Sequence, residues 1–202
     1  MHPVEVRVLG ALLEKDLTTP EYYPLTLNAL QNACNQKSSR DPIVHYDEHT
    51  VREALELLKN KALALRITGA GHRVEKFAHR LGEKLNLGRR ELAILCVMML
   101  RGPQTVGEIR GRTERMHDFA DMEEVERVLE SLASRPEALV ARAPRGRWVH
   151  LFSGEPDLSS DVQDAAPAAG IGSNNLESRV AALETEVAEL KARLAAFERQ
   201  FQ

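Results

Sequence analysis

Apolar and polar positions at the start of the chain alternate with helical spacing. Between residues 3 and 15, apolar side chains recur three or four positions apart and fall on one helical face. Prolines at 20 and 24 break this pattern, and a second helix is predicted from about 25 to 35. A third helix is predicted after Asp47, a good N-cap residue, with its apolar face between Val51 and Leu58. Two β-capable runs, 64–67 and 74–77, flank a glycine turn and predict a hairpin.

The same order of elements then recurs. A strongly apolar helix is predicted over 88–100, and Thr105 with Glu108 forms a capping box for a short helix ending near 112. Asp121 precedes a third helix over 122–134, and a second hairpin spans 139–152. The order of elements repeats but the amino-acid sequence does not, so the repetition is evidence for the architecture only.

Three helices covered by a hairpin are the winged variant of the helix-turn-helix. The pattern therefore predicts a mainly α protein with small β-hairpins, an α+β fold class. We expect two tandem winged-helix domains, residues 1–85 and 86–153. Residues 154–175, rich in Ser, Asp, Ala, Pro and Gly, are predicted to form a flexible linker.

The last segment, 176–202, carries an uninterrupted heptad pattern of apolar residues typical of a coiled coil. Three flanking pairs join opposite charges in a parallel partner, which favours a parallel homodimer: Arg179 with Glu184, Glu186 with Lys191 and Arg193 with Glu198. A single amphipathic helix packing on its own domain is the alternative. The predicted dimerisation residues are Leu176, Val180, Leu183, Val187, Leu190, Leu194 and Phe197.

Two long blocks resemble a known family. They are residues 18–42, TTPEYYPLTLNALQNACNQKSSRDP, and residues 100–119, LRGPQTVGEIRGRTERMHDF. Both are similar to the YceH family of bacterial proteins, and the resemblance covers roughly Val4 to Phe152. It implies tandem winged-helix domains, in agreement with the pattern, and it implies no established activity.

Composition narrows the class of protein. No run of apolar residues is long enough to span a bilayer, and the N-terminus lacks the order of a signal peptide, so we expect a cytoplasmic protein. Cys34 and Cys96 lie in apolar helical contexts and are expected to be buried thiols. Residues 1–153 carry a net charge of +2 and residues 154–202 carry −5, which is not the strongly basic balance of a typical nucleic-acid binder.

DNA binding of a regulatory type is the first functional hypothesis, because winged helices commonly place the third helix in the major groove and the wing near the backbone. Basic and polar side chains on the third helix, before it and in the wings would contact double-stranded DNA, mainly at phosphates. The candidates are Lys37, Arg40, Thr50, Arg52, His72, Arg73, Arg110, Arg112, Arg115, Arg145 and Arg147.

The charge of the third helices opposes this hypothesis. The second one begins Asp121-Met-Glu-Glu-Val-Glu126, and such a face repels phosphate. The alternative is a protein-interaction or assembly module that uses winged helices without reading DNA sequence, an idea based on fold analogy. Under this alternative the partner is another protein.

Catalysis is not expected. The sequence holds no phosphate-binding glycine loop, no Cys-x-x-Cys, no His-Glu-x-x-His and no nucleophile elbow. His45 and His49 straddle a predicted helix start and are interpreted as capping or exposed residues. We expect no cofactor and no metal. Trp148 is interpreted as a core residue of the second hairpin, with base stacking as the less favoured alternative.

Overall fold

The computed structural model describes residues 1–67 and 74–154, all of which belong to one compact unit. His72 and Arg73 lie outside these ranges. The predicted linker and dimerisation helix, 154–175 and 176–202, also lie outside them apart from Gly154.

The first half of the described chain contains three helices and one sheet. Its three strands are antiparallel in the order β1-β3-β2. The side chains of Thr26 and Asp47 cap the second and third helices by accepting a hydrogen bond from a backbone N–H of the first turn. The elements are α1 (Pro3–Thr18), β1 (Leu25–Thr26), α2 (Leu27–Cys34), α3 (Glu48–Asn60), β2 (Ala64–Ile67) and β3 (Lys76–His79).

The second half repeats this plan after one short connecting helix. Its sheet has the order β4-β6-β5, which matches the first sheet strand for strand. Thr105 and Glu108 form the expected capping box, and Asp121 caps the last helix. The elements are α4 (Leu81–Leu85), α5 (Arg89–Arg101), β4 (Gln104–Thr105), α6 (Val106–Thr113), α7 (Met122–Ala133), β5 (Val140–Ala143) and β6 (Arg147–His150).

The mixed α+β class predicted from the sequence is confirmed by these helices and two small sheets. Sequence reasoning missed α4 and the two-residue strands β1 and β4, which have no periodicity of their own. It also ended α1 at Lys15, whereas the helix continues to Thr18 because Leu17 is buried in the core. The strand β3 begins at Lys76, later than the predicted start at 74.

The two halves share one hydrophobic core, since α1 of the first packs directly on α5 of the second. Gly10 permits this approach: a Cβ at this position would lie 3.0 Å from Cδ2 of Leu100 and 3.1 Å from Cβ of Met99. Cys34 and Cys96 are free, buried thiols, and burial raises the pKa of both. Trp148 is 2% exposed in the core, as expected for a hairpin residue.

Candidate nucleic-acid interface

Arg40, one of the predicted phosphate contacts, is buried. Its side chain has no exposed surface and lies 2.6 Å from a carboxylate oxygen of Glu14. The guanidinium also donates to the carbonyl oxygens of Ala33 and Ser39 and to Oε1 of Gln36. Its donors are occupied inside the protein, so Arg40 holds the loop after α2 in place and is not available to an external phosphate.

Glu14 is the carboxylate partner of this buried pair. Burial would raise the pKa of Glu14, but the hydrogen bonds and charge of Arg40, together with Lys15, outweigh burial and hold that pKa below its ordinary value. The side chain is therefore ionised at neutral pH.

The solvent face of α3 combines polar residues with paired charges. Arg52 is exposed and lies 2.8 Å from Glu48, one turn earlier. Thr50 is half-buried and its backbone N–H donates to the capping Asp47. Glu53 lies 3.6 Å from His49. With Glu48 and Glu56, α3 carries three carboxylates and two Lys or Arg side chains. Lys37, in the loop before α3, is exposed and has no ion pair among the residues with described positions.

Three arginines follow one another around the end of α6. Arg110 is exposed and donates to the carbonyl oxygens of Phe119 and Ala120, which closes the turn before α7. Arg112 is half-buried, donates to Oε1 of Gln104 at 2.8 Å and pairs with Glu108 at 3.2 Å. Arg115 is exposed and makes no ion pair within the described part of the chain.

The turn of the second hairpin presents two more candidates. Arg145 is exposed at the tip, where its backbone adopts φ 60°, and Gly146 follows with φ 70°. Arg147 is half-buried and donates to the carbonyl oxygen of Pro103. Arg142 stacks on the ring of Trp148 at 4.7 Å, so this indole face is already covered.

The start of α7 is acidic, as the sequence predicts. Glu123 and Glu126 are exposed, and Glu124 accepts from the backbone N–H of Ala120. This hydrogen bond and the nearby Arg90 lower the pKa of Glu124, which keeps it charged. Phosphate would be repelled from this surface.

Two cationic residues that sequence reasoning did not select lie beside the arginines of α6. Lys15 and Arg101 occupy the last turns of α1 and α5, and they line the same cavity as Arg112 and Arg115. We call this cavity, defined by Lys15, Arg101, Arg112 and Arg115, the cationic cleft. In the sequence, both residues could be recognised only as cations near the end of a predicted helix. Such residues are common, because a cation in the last turn interacts favourably with the helix dipole.

Among the residues whose structure is described, no three His, Cys, Asp or Glu side chains are grouped to hold a metal ion. In the same ranges, no helix has both the length and the apolar character needed to cross a bilayer.

The fold defines a class: an α+β protein with two similarly built halves around a shared core. The chain belongs to the bacterial family described as a protein of unknown function, DUF480, whose family model matches residues 1–147. It is 55% identical over 189 residues to a UPF0502 protein of Citrifermentans bemidjiense, covering 91% of this chain and 86% of the relative. A UPF0502 protein of Solibacter usitatus is 52% identical, with 98% and 96% covered. A UPF0502 protein of Enterobacter sp. is 45% identical, with 94% and 92% covered.

Proposed function

We propose that this protein is a DNA-binding protein of regulatory type, built from two winged-helix domains in tandem. The observation that carries the proposal is the repeated order of elements: a helix, a short strand, two helices and a hairpin, with the same sheet order in both halves. The two blocks that resemble the YceH family support the same plan. In such domains the third helix and the hairpin face the duplex.

The charges favour contact with phosphates over reading of bases. Carboxylates on α3 and α7 make both third helices poor partners for a polyanion, whereas the surrounding turns carry exposed arginine and lysine side chains. Such cations position a protein on the duplex without specifying its sequence. The residues proposed to contact DNA are Lys37, Arg110, Arg115, Arg145 and Arg147.

Fluorescence anisotropy with a labelled mixed-sequence duplex tests this proposal. Changing Arg115 and Arg145 together to Gln should weaken binding about tenfold at low salt, since two phosphate contacts are lost. The matched control changes Arg80 and Arg90 to Gln. Both are exposed, pair with Glu83 and Glu124, and lie outside the third helices and the hairpins, so we expect them to leave the affinity unchanged.

A protein-interaction module is the second candidate function, and one observation favours it. Leu57 on α3 and Met122 at the start of α7 are 47% and 56% exposed on surfaces rich in carboxylates. Exposed apolar side chains with a polar rim are typical of protein interfaces. A photo-crosslinking residue at Leu57 should capture one specific protein in cells under this alternative, and the same residue at Lys84 should not.

A further inference from the structure

Among the described residues, the cationic cleft has more positive than negative side chains. Five cationic side chains meet there if the buried Arg40 behind it is included, and within the same ranges two carboxylates, Glu14 and Glu108, form ion pairs with them. The guanidinium of Arg101 is half-buried and makes no hydrogen bond or ion pair with any residue in the described ranges. A half-buried guanidinium without a direct ion pair is unfavourable.

The neighbours of Arg101 make its position less favourable still. Burial lowers the pKa of Arg101, and the charges of Arg112 and Arg40 lower it further, while the charges of Glu14 and Asp41 offset this only in part. Like charges held this close repel one another, and an anion placed among them would attract each of them and offset that repulsion. The fold therefore keeps cations together at a point where a negatively charged ligand would stabilise them.

The remaining walls of the cleft suit an oxyanion with an organic group attached. Ser38 and Ser39, in the loop after α2, line it. The hydroxyls of Thr18 and Thr19 donate to the carbonyl oxygens of Glu14 and Lys15, which satisfies part of the negative end of α1. The floor is apolar and consists of Val97, Leu100 and Met116.

We propose that the cationic cleft binds a small phosphorylated molecule. Arg101, Arg112, Arg115 and Lys15 would hold its phosphate group, since guanidinium groups form paired, charge-assisted hydrogen bonds with phosphate oxygens. The cavity measures about 200 Å³, so a compact ligand fits, with its organic part on the apolar floor. The cleft shares Arg115 with the proposed DNA surface, but the inference depends on the geometry of the cleft and not on DNA binding.

The ligand would bridge the two halves. Lys15, Ser38 and Ser39 come from the first half and Arg101, Arg112 and Arg115 come from the second. Because binding to the folded state alone raises its stability, an occupant of the cleft should raise the melting temperature of the protein.

Isothermal titration calorimetry with pyrophosphate tests the proposal on the full chain. We expect saturable binding with one site per chain, and about tenfold weaker binding for Arg101→Gln, the usual effect of losing one charged hydrogen-bond partner. Arg101→Lys should recover part of the affinity because it keeps the charge. Arg80→Gln removes an exposed cation outside the cleft and is the matched control. Arg115→Gln, which replaces an exposed side chain, gives a second variant if Arg101→Gln does not fold.

Three results would overturn the inference. The first is the absence of saturable pyrophosphate binding by the wild-type chain. The second is equal binding by wild type, Arg101→Gln and Arg115→Gln. The third is that Arg101→Gln weakens binding of a labelled 16-base-pair duplex as much as it weakens pyrophosphate binding, and that this duplex displaces pyrophosphate. In that case the cleft belongs to the DNA surface. Failure of duplex binding with intact pyrophosphate binding would refute only the proposed DNA function.

Discussion

Arg40 and Glu14 form two hydrogen bonds in the interior of the first half, from Nη1 to Oε1 at 3.0 Å and from Nη2 to Oε2 at 2.6 Å. The pair fixes the loop after α2 against α1, because the same guanidinium also binds the carbonyl oxygen of Ala33. A residue that looks like a surface cation in the sequence is thus part of the structural core.

Removing one partner of this buried pair should destabilise the protein strongly. Arg40→Leu leaves the carboxylate of Glu14 without its main counter-charge, and we expect the free energy of unfolding to fall by about 3 kcal/mol. Arg52→Leu is the control, since it breaks the exposed ion pair with Glu48 and should cost less than about 1 kcal/mol. Urea unfolding at pH 7 measures both, and equal losses would contradict a structural role for Arg40.

The contact between α1 and α5 leaves little space for a side chain at position 10. Gly10→Val would place atoms against Leu100 and Met99, and we expect a loss of about 1–3 kcal/mol in the free energy of unfolding. Gly107→Val is the matched control, because nothing lies within 4 Å of a Cβ at that helical position. Its effect should stay below about 0.5 kcal/mol. If thermal unfolding shows that the two variants are alike, the close approach of the helices is not as described.

His150 should make the protein less stable in acid. Burial, and then the charge of the N-terminal amine, lower its pKa from 6.5 to about 4, and its buried Nδ1 has no hydrogen-bond partner among the described residues. As the pH falls below 6.5, the unfolded chain binds a proton that the folded chain does not. Stability is therefore lost between pH 6.5 and about 4, and this loss reaches about 2 kcal/mol by pH 5.

The variant His150→Phe isolates this contribution. Buried His79 also has a lowered pKa and adds to the pH dependence of both proteins, so the comparison depends on the difference between wild type and variant. That difference, measured by urea unfolding, should change by about 2 kcal/mol between pH 7.5 and pH 5. Parallel stability curves would show that His150 is not the group responsible.

The heptad pattern of residues 176–202 predicts a parallel homodimer. At high micromolar concentration, sedimentation equilibrium of the full chain should give the mass of a dimer, and a chain ending at residue 175 should give that of a monomer. Replacing both Leu183 and Leu190 by Ser, which removes two d positions while keeping the length, should have the same effect. A full-length monomer would refute the coiled-coil assignment.

Local signals made most of the fold predictable. The caps Asp47, Thr105 and Asp121 act through hydrogen bonds within one turn, and helix periodicity depends only on neighbouring residues. Periodicity also identified the buried face of α3, between Val51 and Leu58. The two-residue strands β1 and β4 could not be predicted, because they form only when the hairpin of the same half pairs with them.

The candidate site was less predictable because it depends on tertiary contacts. Arg40 was expected on the surface, but its partner Glu14 lies on a different helix, and no local pattern links them. Lys15 and Arg101 were missed for the same reason: they become neighbours only when α1 packs on α5. Lys37, Arg115 and Arg145 are exposed as expected, since polar loops and turns with no apolar periodicity remain at the surface.

The salt dependence of duplex binding tests the proposed DNA function most directly. We expect the logarithm of the affinity for a mixed-sequence duplex to fall linearly with the logarithm of salt concentration, with a slope of about −3 to −5 for a few phosphate contacts. Arg145→Gln should make this slope shallower by about one. No detectable binding at low salt, or an affinity that does not change with salt, would contradict the account.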